Sequence, residues 1–209
     1  MNKETLQELL TEQIRDLYNA EQQLVRALPK IAKAAESAGL EDAVTSHLEE
    51  TKKHVERLTQ VFGILGIPAK GKKCKAMEGL LAEGDEVISE EDAGELRDVA
   101  LIAACQRVEH YEISAYGSAK AIASRLDLED AVELLQQTEN EESQADHTLT
   151  EVAGSIYDAT DEDDSEPEEE NDEGSEDDDE PAELVKAKRA PTKSASSPSR
   201  SKKSKSERR

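Results

Sequence analysis

Apolar residues recur at helical spacing along four long stretches of this chain, and in three of them a polar residue stands where the stripe calls for an apolar one. Stepping three and four residues at a time, the first stretch gives Leu6, Leu10, Ile14, Leu17, Glu21, Leu24, Leu28 and Ile31. This is the buried face of one long amphipathic helix, with a carboxylate at its middle. The spacing predicts helices over about 3–37, 41–65, 91–125 and 128–157, and nothing in the chain alternates as a strand would. Ser37-Ala38-Gly39 is expected to end the first helix, with Gly39 in the left-handed position that follows one. Pro29 inside that helix predicts a kink, because it removes a backbone donor. Gly66-Ile67-Pro68 is expected to stop the second helix.

The connections set the topology. Helices one and two are separated by only a few residues, as are helices three and four, so each pair is expected to form an antiparallel hairpin. Between the pairs lies the longer stretch 66–90, which contains a short amphipathic piece, CKAMEGLLAEGDEVI. The expected fold is therefore all-α: a ferritin-like four-helix bundle of two antiparallel hairpins, joined by a long crossover with a short helix. LEDAV occurs at 40–44 and again at 128–132, and the same offset carries Glu21 onto Glu109. The faint repeat suggests two related hairpins, each supplying half of a site.

The interrupted stripes point to chemistry. The third helix repeats the first with Ile102, Gln106, Glu109, Ile113 and Tyr116; the fourth reads Leu135, Thr138, Glu142, Ala145, Leu149 and Val152. A carboxylate buried alone loses several kcal/mol of solvation and takes up a proton instead. Three helices each placing one at mid-height make sense if cations lie between them, and a pair of metal ions is the evident candidate. Hard oxygen ligands with histidine nitrogens beside them suit iron or manganese. The candidate ligands are Glu21 on helix one; His47, Glu50 and His54 on helix two; Glu109 and Glu112 on helix three; and Glu142 and Asp146 on helix four. The helix-two stripe reads Val44, Leu48, Thr51, Val55 and Leu58, so His47, Glu50 and His54 sit on its edge, a position that suits a surface or capping role as well as ligation. Glu112 and Asp146 are also flank positions. Neither half contains the Glu-x-x-His spacing of the usual di-iron carboxylate motif. Tyr18 and Tyr111 are placed either to hydrogen-bond the ligands or to fill the core margin.

Composition divides the chain. The 209 residues carry a net charge of −23. Residues 158–183 hold 17 Asp or Glu and no Lys or Arg, whereas 184–209 hold ten Lys or Arg and one acid, Glu207. This block of opposite charges has too few large apolar residues to offset ordering entropy. The expectation is a bundle over 1–157 followed by a disordered tail, acidic at 158–183 and basic at 184–209. The acidic body repels nucleic acid, while the basic block, which has no aromatic residue for base stacking, could make weak, non-specific phosphate contacts or fold back on the acidic segment. No apolar run reaches membrane-spanning length, and the N-terminus already reads as amphipathic helix. Cys74 and Cys105 show neither metal-ligand nor disulfide spacing, so a reducing cytoplasm is expected.

YNAEQQL in helix one, HLEET and ERL in helix two, CKAMEGL in the crossover and VEHYEISAYG in helix three, with Glu141, Glu142 and Asp146 in helix four, resemble the YciE/YciF family of ferritin-like stress proteins over about 3–157. The resemblance implies a rubrerythrin-related bundle, usually dimeric, with a di-metal centre. Carried over by motif, it implies Glu21, His47, Glu50, Glu109, Glu112, Glu142 and Asp146 as ligands and leaves His54 outside. The leading expectation is a stress-response protein that oxidises iron and handles peroxide or O2, as a ferroxidase- or peroxidase-like di-iron oxidoreductase. The alternative is a non-catalytic bundle serving stress or interaction. Its inward carboxylates would be protonated or matched by Arg15, Arg107 or water.

Overall fold

The computed structural model describes residues 2–163, and these form five helices: α1 (Lys3–Ala34), α2 (Ala38–Ile64), α3 (Lys75–Glu90), α4 (Glu95–Arg125) and α5 (Glu129–Asp163). The first helix starts where its orphaned amides find a partner. The Asn2 side chain accepts the Thr5 backbone N–H at 2.8 Å. It then runs unbroken through Pro29. Leu24, Leu28 and Ile31 are buried on either side of the proline, so packing holds the helix across the missing donor.

Side-chain ties give the directions. Lys3 meets Asp127 at 2.7 Å, joining the start of α1 to the end of α4. At the other end, Arg97 donates to the Ala34 carbonyl at 2.6 Å. Helices α1 and α4 are therefore antiparallel. Arg57 reaches Thr138 and Gly39 lies against Val152, so α2 and α5 are antiparallel as well. With each hairpin also antiparallel, the order is up, down, down, up. Two consecutive bundle helices pointing the same way require a connection running the full length of the bundle. Helix α3 travels along that route beside α1, tied to it by Gln23 to the Cys74 carbonyl at 3.0 Å and Lys30 to Asp85 at 2.6 Å. This is the ferritin-like connectivity.

Several boundaries differ from the periodicity. The first turn spans 35–37 rather than 37–39, and Gly39 lies inside α2. The cause is tertiary. Asp98 of α4, 1% exposed, accepts the Glu36 and Ser37 N–H groups at 3.0 and 2.6 Å and holds the turn open. Helix α4 starts at Glu95 rather than 91, after Gly94 at φ +144°, a conformation that favours glycine. Helix α5 continues to Asp163, past the boundary expected at 157. Ile156 is buried and anchors the turn from which the next one propagates, and the Thr160 hydroxyl lies 3.3 Å from the Ile156 carbonyl. The rest of the acidic segment and the whole basic segment lie outside the described residues.

The apolar core is in two parts. One cluster, including Leu24, Leu28, Val44, Leu101, Ile102 and Leu149, fills the end of the bundle near the α1–α2 turn. The other, including Leu10, Ile14, Leu58, Phe62, Ala123 and Leu135, fills the opposite end. Between them lies a layer of buried polar side chains.

Candidate metal centre

The layer is built from all four long helices. Helix α1 supplies Glu21, α2 supplies His47 and His54, α4 supplies Glu109 and Glu112, and α5 supplies Glu142. Of these six, only His47 exceeds 2% exposure, at 6%. His47 and His54 are seven residues apart, two helical turns, so both point inward from one ridge. Their ring centroids are 6.3 Å apart. His47 Nε2 lies 3.4 Å from Glu109 Oε1 and 3.7 Å from Glu142 Oε2. His54 Nδ1 lies 2.9 Å from Glu142 Oε1 and 3.5 Å from Glu21 Oε1. The donors form two groups, each with its ligand atoms within 4.8 Å of one another: His47, Glu109, Glu112 and Glu142; and Glu21, His54 and Glu142. Glu142 belongs to both.

Each histidine is backed by a carboxylate on its outer side. His54 Nε2 lies 2.9 Å from Glu141 Oε2, and Glu141 is gripped at both oxygens by Arg57, at 2.5 and 2.8 Å. Partial burial opposes the Glu141 charge, but the Arg57 and His54 hydrogen bonds outweigh it and hold its pKa below the usual range. An ionised carboxylate only accepts, so Nε2 carries the proton and Nδ1 faces the interior with its lone pair when the ring is neutral. His47 Nδ1 faces Glu50 at 3.9 Å in the same sense. Tyr116, fully buried, donates its hydroxyl to Glu21 Oε1.

Electrostatics show that this layer favours positive charge between its carboxylates. Burial drives the carboxyls of Glu109 and Glu112 well above the ordinary range, and raises Glu21 too. Burial also opposes a charge on Glu142, but His54 and His47 overcome it and bring that group down. Burial works against protonation of the imidazoles as well, yet the surrounding carboxylates lift His47 to about 9 and His54 to about 11. The layer therefore gathers protons, on its imidazoles and on Glu109 and Glu112.

Hydrogen bonding does not satisfy it. Among the described residues, nine of the eleven buried side-chain N and O atoms that lack a hydrogen-bond partner belong to these six residues, the other two being on Arg15 and Arg97. Glu112 and Glu142 each contribute both oxygens. An unsatisfied buried group costs about 1–3 kcal/mol; a protonated His54 relieves Glu142 Oε1 at 2.9 Å, but Glu112 keeps both oxygens without a partner. Four carboxylates and two neutral imidazoles balance two divalent cations in charge. They also match, in number and kind, the ligands of di-iron carboxylate bundles, although no Glu-x-x-His motif delivers them.

The other expected ligands lie elsewhere. Glu50, 42% exposed at its side chain, is behind His47 rather than in either group. Asp146 bonds Gln106 at 3.1 Å and approaches His110 at 3.3 Å, both on α4, at the α4–α5 seam. His54, which the family motifs left out, is at the centre. Its signal was the two-turn spacing from His47. Tyr111 bonds Asp16 and the Cys74 thiol, and Tyr18 packs edge-on against Phe62. Arg15 pairs with Glu12 and Arg107 approaches Glu83, so neither guanidinium matches the inward carboxylates.

The pattern of the family described as "Domain of unknown function (DUF892)" matches residues 5–161. The chain belongs to that family. Protein YciF of Escherichia coli (strain K12) is 44% identical over 154 residues, 73% of this chain and 93% of the relative. The crystal structure of the E. coli stress protein YciF superposes with a TM-score of 0.71 at 42% identity, covering 73% of this chain and 97% of that one. YcfI from Rhodopseudomonas palustris gives 0.68 at 43%, covering 69% and 92%. A protein from Xanthomonas campestris, 18% identical with a TM-score of 0.58, shares the fold. Among the described residues, no helix is long and apolar enough to cross a membrane.

Proposed function

We infer that this chain is a stress-response protein that holds two divalent cations between its helices, iron first and manganese as the alternative, and uses them on peroxide or O2. The observation that carries the reading is the convergence of six buried side chains, each with at least one unpartnered polar atom, into two groups that share Glu142. Glu112 and Glu109 would serve one cation with His47, Glu21 and His54 the other, and Glu142 both. Two ferrous ions held there would supply the two electrons that cleavage of a peroxide O–O bond requires. The chain's own residues do the rest. Arg57 and Glu141 fix the His54 tautomer, and Glu50 steadies His47. Tyr116 holds Glu21 by one oxygen and leaves the other free. The apolar clusters above and below exclude bulk water, which strengthens every charge interaction between them. The E. coli relative is a stress protein, which agrees with a peroxide-consuming role. The family resemblance adds a homodimer to this proposal, and the two buried free thiols add a reducing, cytoplasmic setting.

The test uses the full-length chain, stripped of metal and reloaded anaerobically with Fe(II). The expected result is two irons per chain and rapid growth of ferric absorbance on adding hydrogen peroxide. A chain that retains no iron after desalting, or whose bound iron is indifferent to peroxide, overturns the reading.

A further inference from the structure

A cleft of about 410 Å³ opens between α2 and α5 and descends to the cation layer. Its deep walls are apolar: Leu28, Val44, Cys105 and Leu149, all buried. At its base are His47 and Glu109, members of one donor group. Its outer part carries Asp42 and Glu50, and among the described residues no Lys or Arg lines it. Hydrogen peroxide or O2 needs little more room than a water molecule, roughly 30 Å³. This space is instead within the range of organic ligand pockets, roughly 300–1,000 Å³. An apolar wall with an acidic rim rejects anions, because a carboxylate or phosphate would meet like charge and find no cation to pair with.

We propose that the cleft binds a neutral organic hydroperoxide of about ten carbons or fewer, its apolar body against Leu28, Val44 and Leu149 and its peroxide group at the His47–Glu109 edge. The assignment rests on the cation reading above and narrows its substrate. The step is a two-electron cleavage of the O–O bond. The hydroperoxide and two protons take two electrons from two ferrous ions and give the alcohol, water and two ferric ions. The two protons come from solvent.

Binding can be read without any metal. Cumyl alcohol, the inert product of cumene hydroperoxide, should bind the metal-free full-length chain saturably in ligand-observed NMR. Ala145→Leu, which adds bulk on the α5 wall, should weaken that binding at least tenfold with helical circular dichroism unchanged. Ala43→Leu on the α2 wall is the second variant should the first unfold. In the iron-loaded wild type, cumene hydroperoxide should oxidise the iron, whereas an organic hydroperoxide of similar size that carries a free carboxylate should be at least tenfold slower. Absence of alcohol binding, or equal binding by a folded wall variant, overturns the proposal. Oxidation by hydrogen peroxide but not by cumene hydroperoxide overturns it while leaving the cation reading intact. A chain that holds no iron overturns both.

Discussion

Replacing Glu112 by leucine should change the stability of the protein in opposite senses with and without metal. Glu112 is fully buried, neither of its oxygens has a hydrogen-bond partner, and burial holds its carboxyl well above the ordinary pKa. Without metal it is a net liability. Leucine fills similar space with no polar atom to desolvate, and relieving one buried unsatisfied group is worth about 1–3 kcal/mol. For a folded unit of this size each kcal/mol moves Tm by about 2–4 °C, so Glu112→Leu in EDTA should melt about 2–12 °C above wild type. With cation the sign reverses. At a thousandfold excess over Kd, wild type gains about 4.1 kcal/mol by linkage, more than the whole metal-free benefit, and the variant, lacking a ligand to one group, forgoes most of it. Calorimetric melts of both proteins in EDTA and in excess Mn(II), which avoids oxidation during heating, provide the check. The reasoning is refuted if the variant melts below wild type in EDTA, or if Mn(II) raises both proteins equally.

The metal-free protein should lose stability as pH rises from about 6.5 to 9. His47 and His54 have folded pKa values raised to about 9 and about 11, so their contribution is complete below the unfolded value near 6.5 and is lost as pH climbs through the folded ones. Each proton held only by the folded state is worth about 1.4 kcal/mol per pH unit. Metal-loaded protein should show the opposite slope in melts over the same range, because ligation needs deprotonated donors. Tyr116→Phe removes the hydroxyl that holds Glu21 and should weaken Mn(II) binding about 10–100-fold in an EPR titration, at a stability cost of only about 1 kcal/mol; unaltered affinity would count against that role. Asp98→Ala leaves the Glu36 and Ser37 amides without their acceptor and should lower Tm by about 4–12 °C, from about 2–3 kcal/mol, with Mn(II) stoichiometry unaffected in the folded protein. A loss smaller than 1 °C would mean the turn is held by something else.

The helices were legible in the sequence because an amphipathic stripe is a local property: Leu10, Ile14, Leu17 and Leu24 must share a face whatever they pack against. The long crossover was legible for a similar reason, as 66–90 is too long for a tight turn. Three of the buried carboxylates, Glu21, Glu109 and Glu142, could also be singled out, since each replaces an apolar residue on its own stripe. Helix ends were less accessible. The α1–α2 turn is held by Asp98, more than sixty residues away, and no local signal near Gly39 contains that contact. The remaining membership of the site was decided by tertiary structure alone. Glu50 and His54 lie on the same edge of one helix, and only the approach of α1 and α5 turns His54 into the interior while Glu50 stays behind His47. Asp146 lies one turn beyond Glu142 along α5, yet Gln106 of α4 engages it away from the buried polar layer. Periodicity says which face of a helix is inside. Which edge of that face meets a neighbour depends on how helices distant in sequence are rotated against one another, and that rotation is a property of the packed bundle.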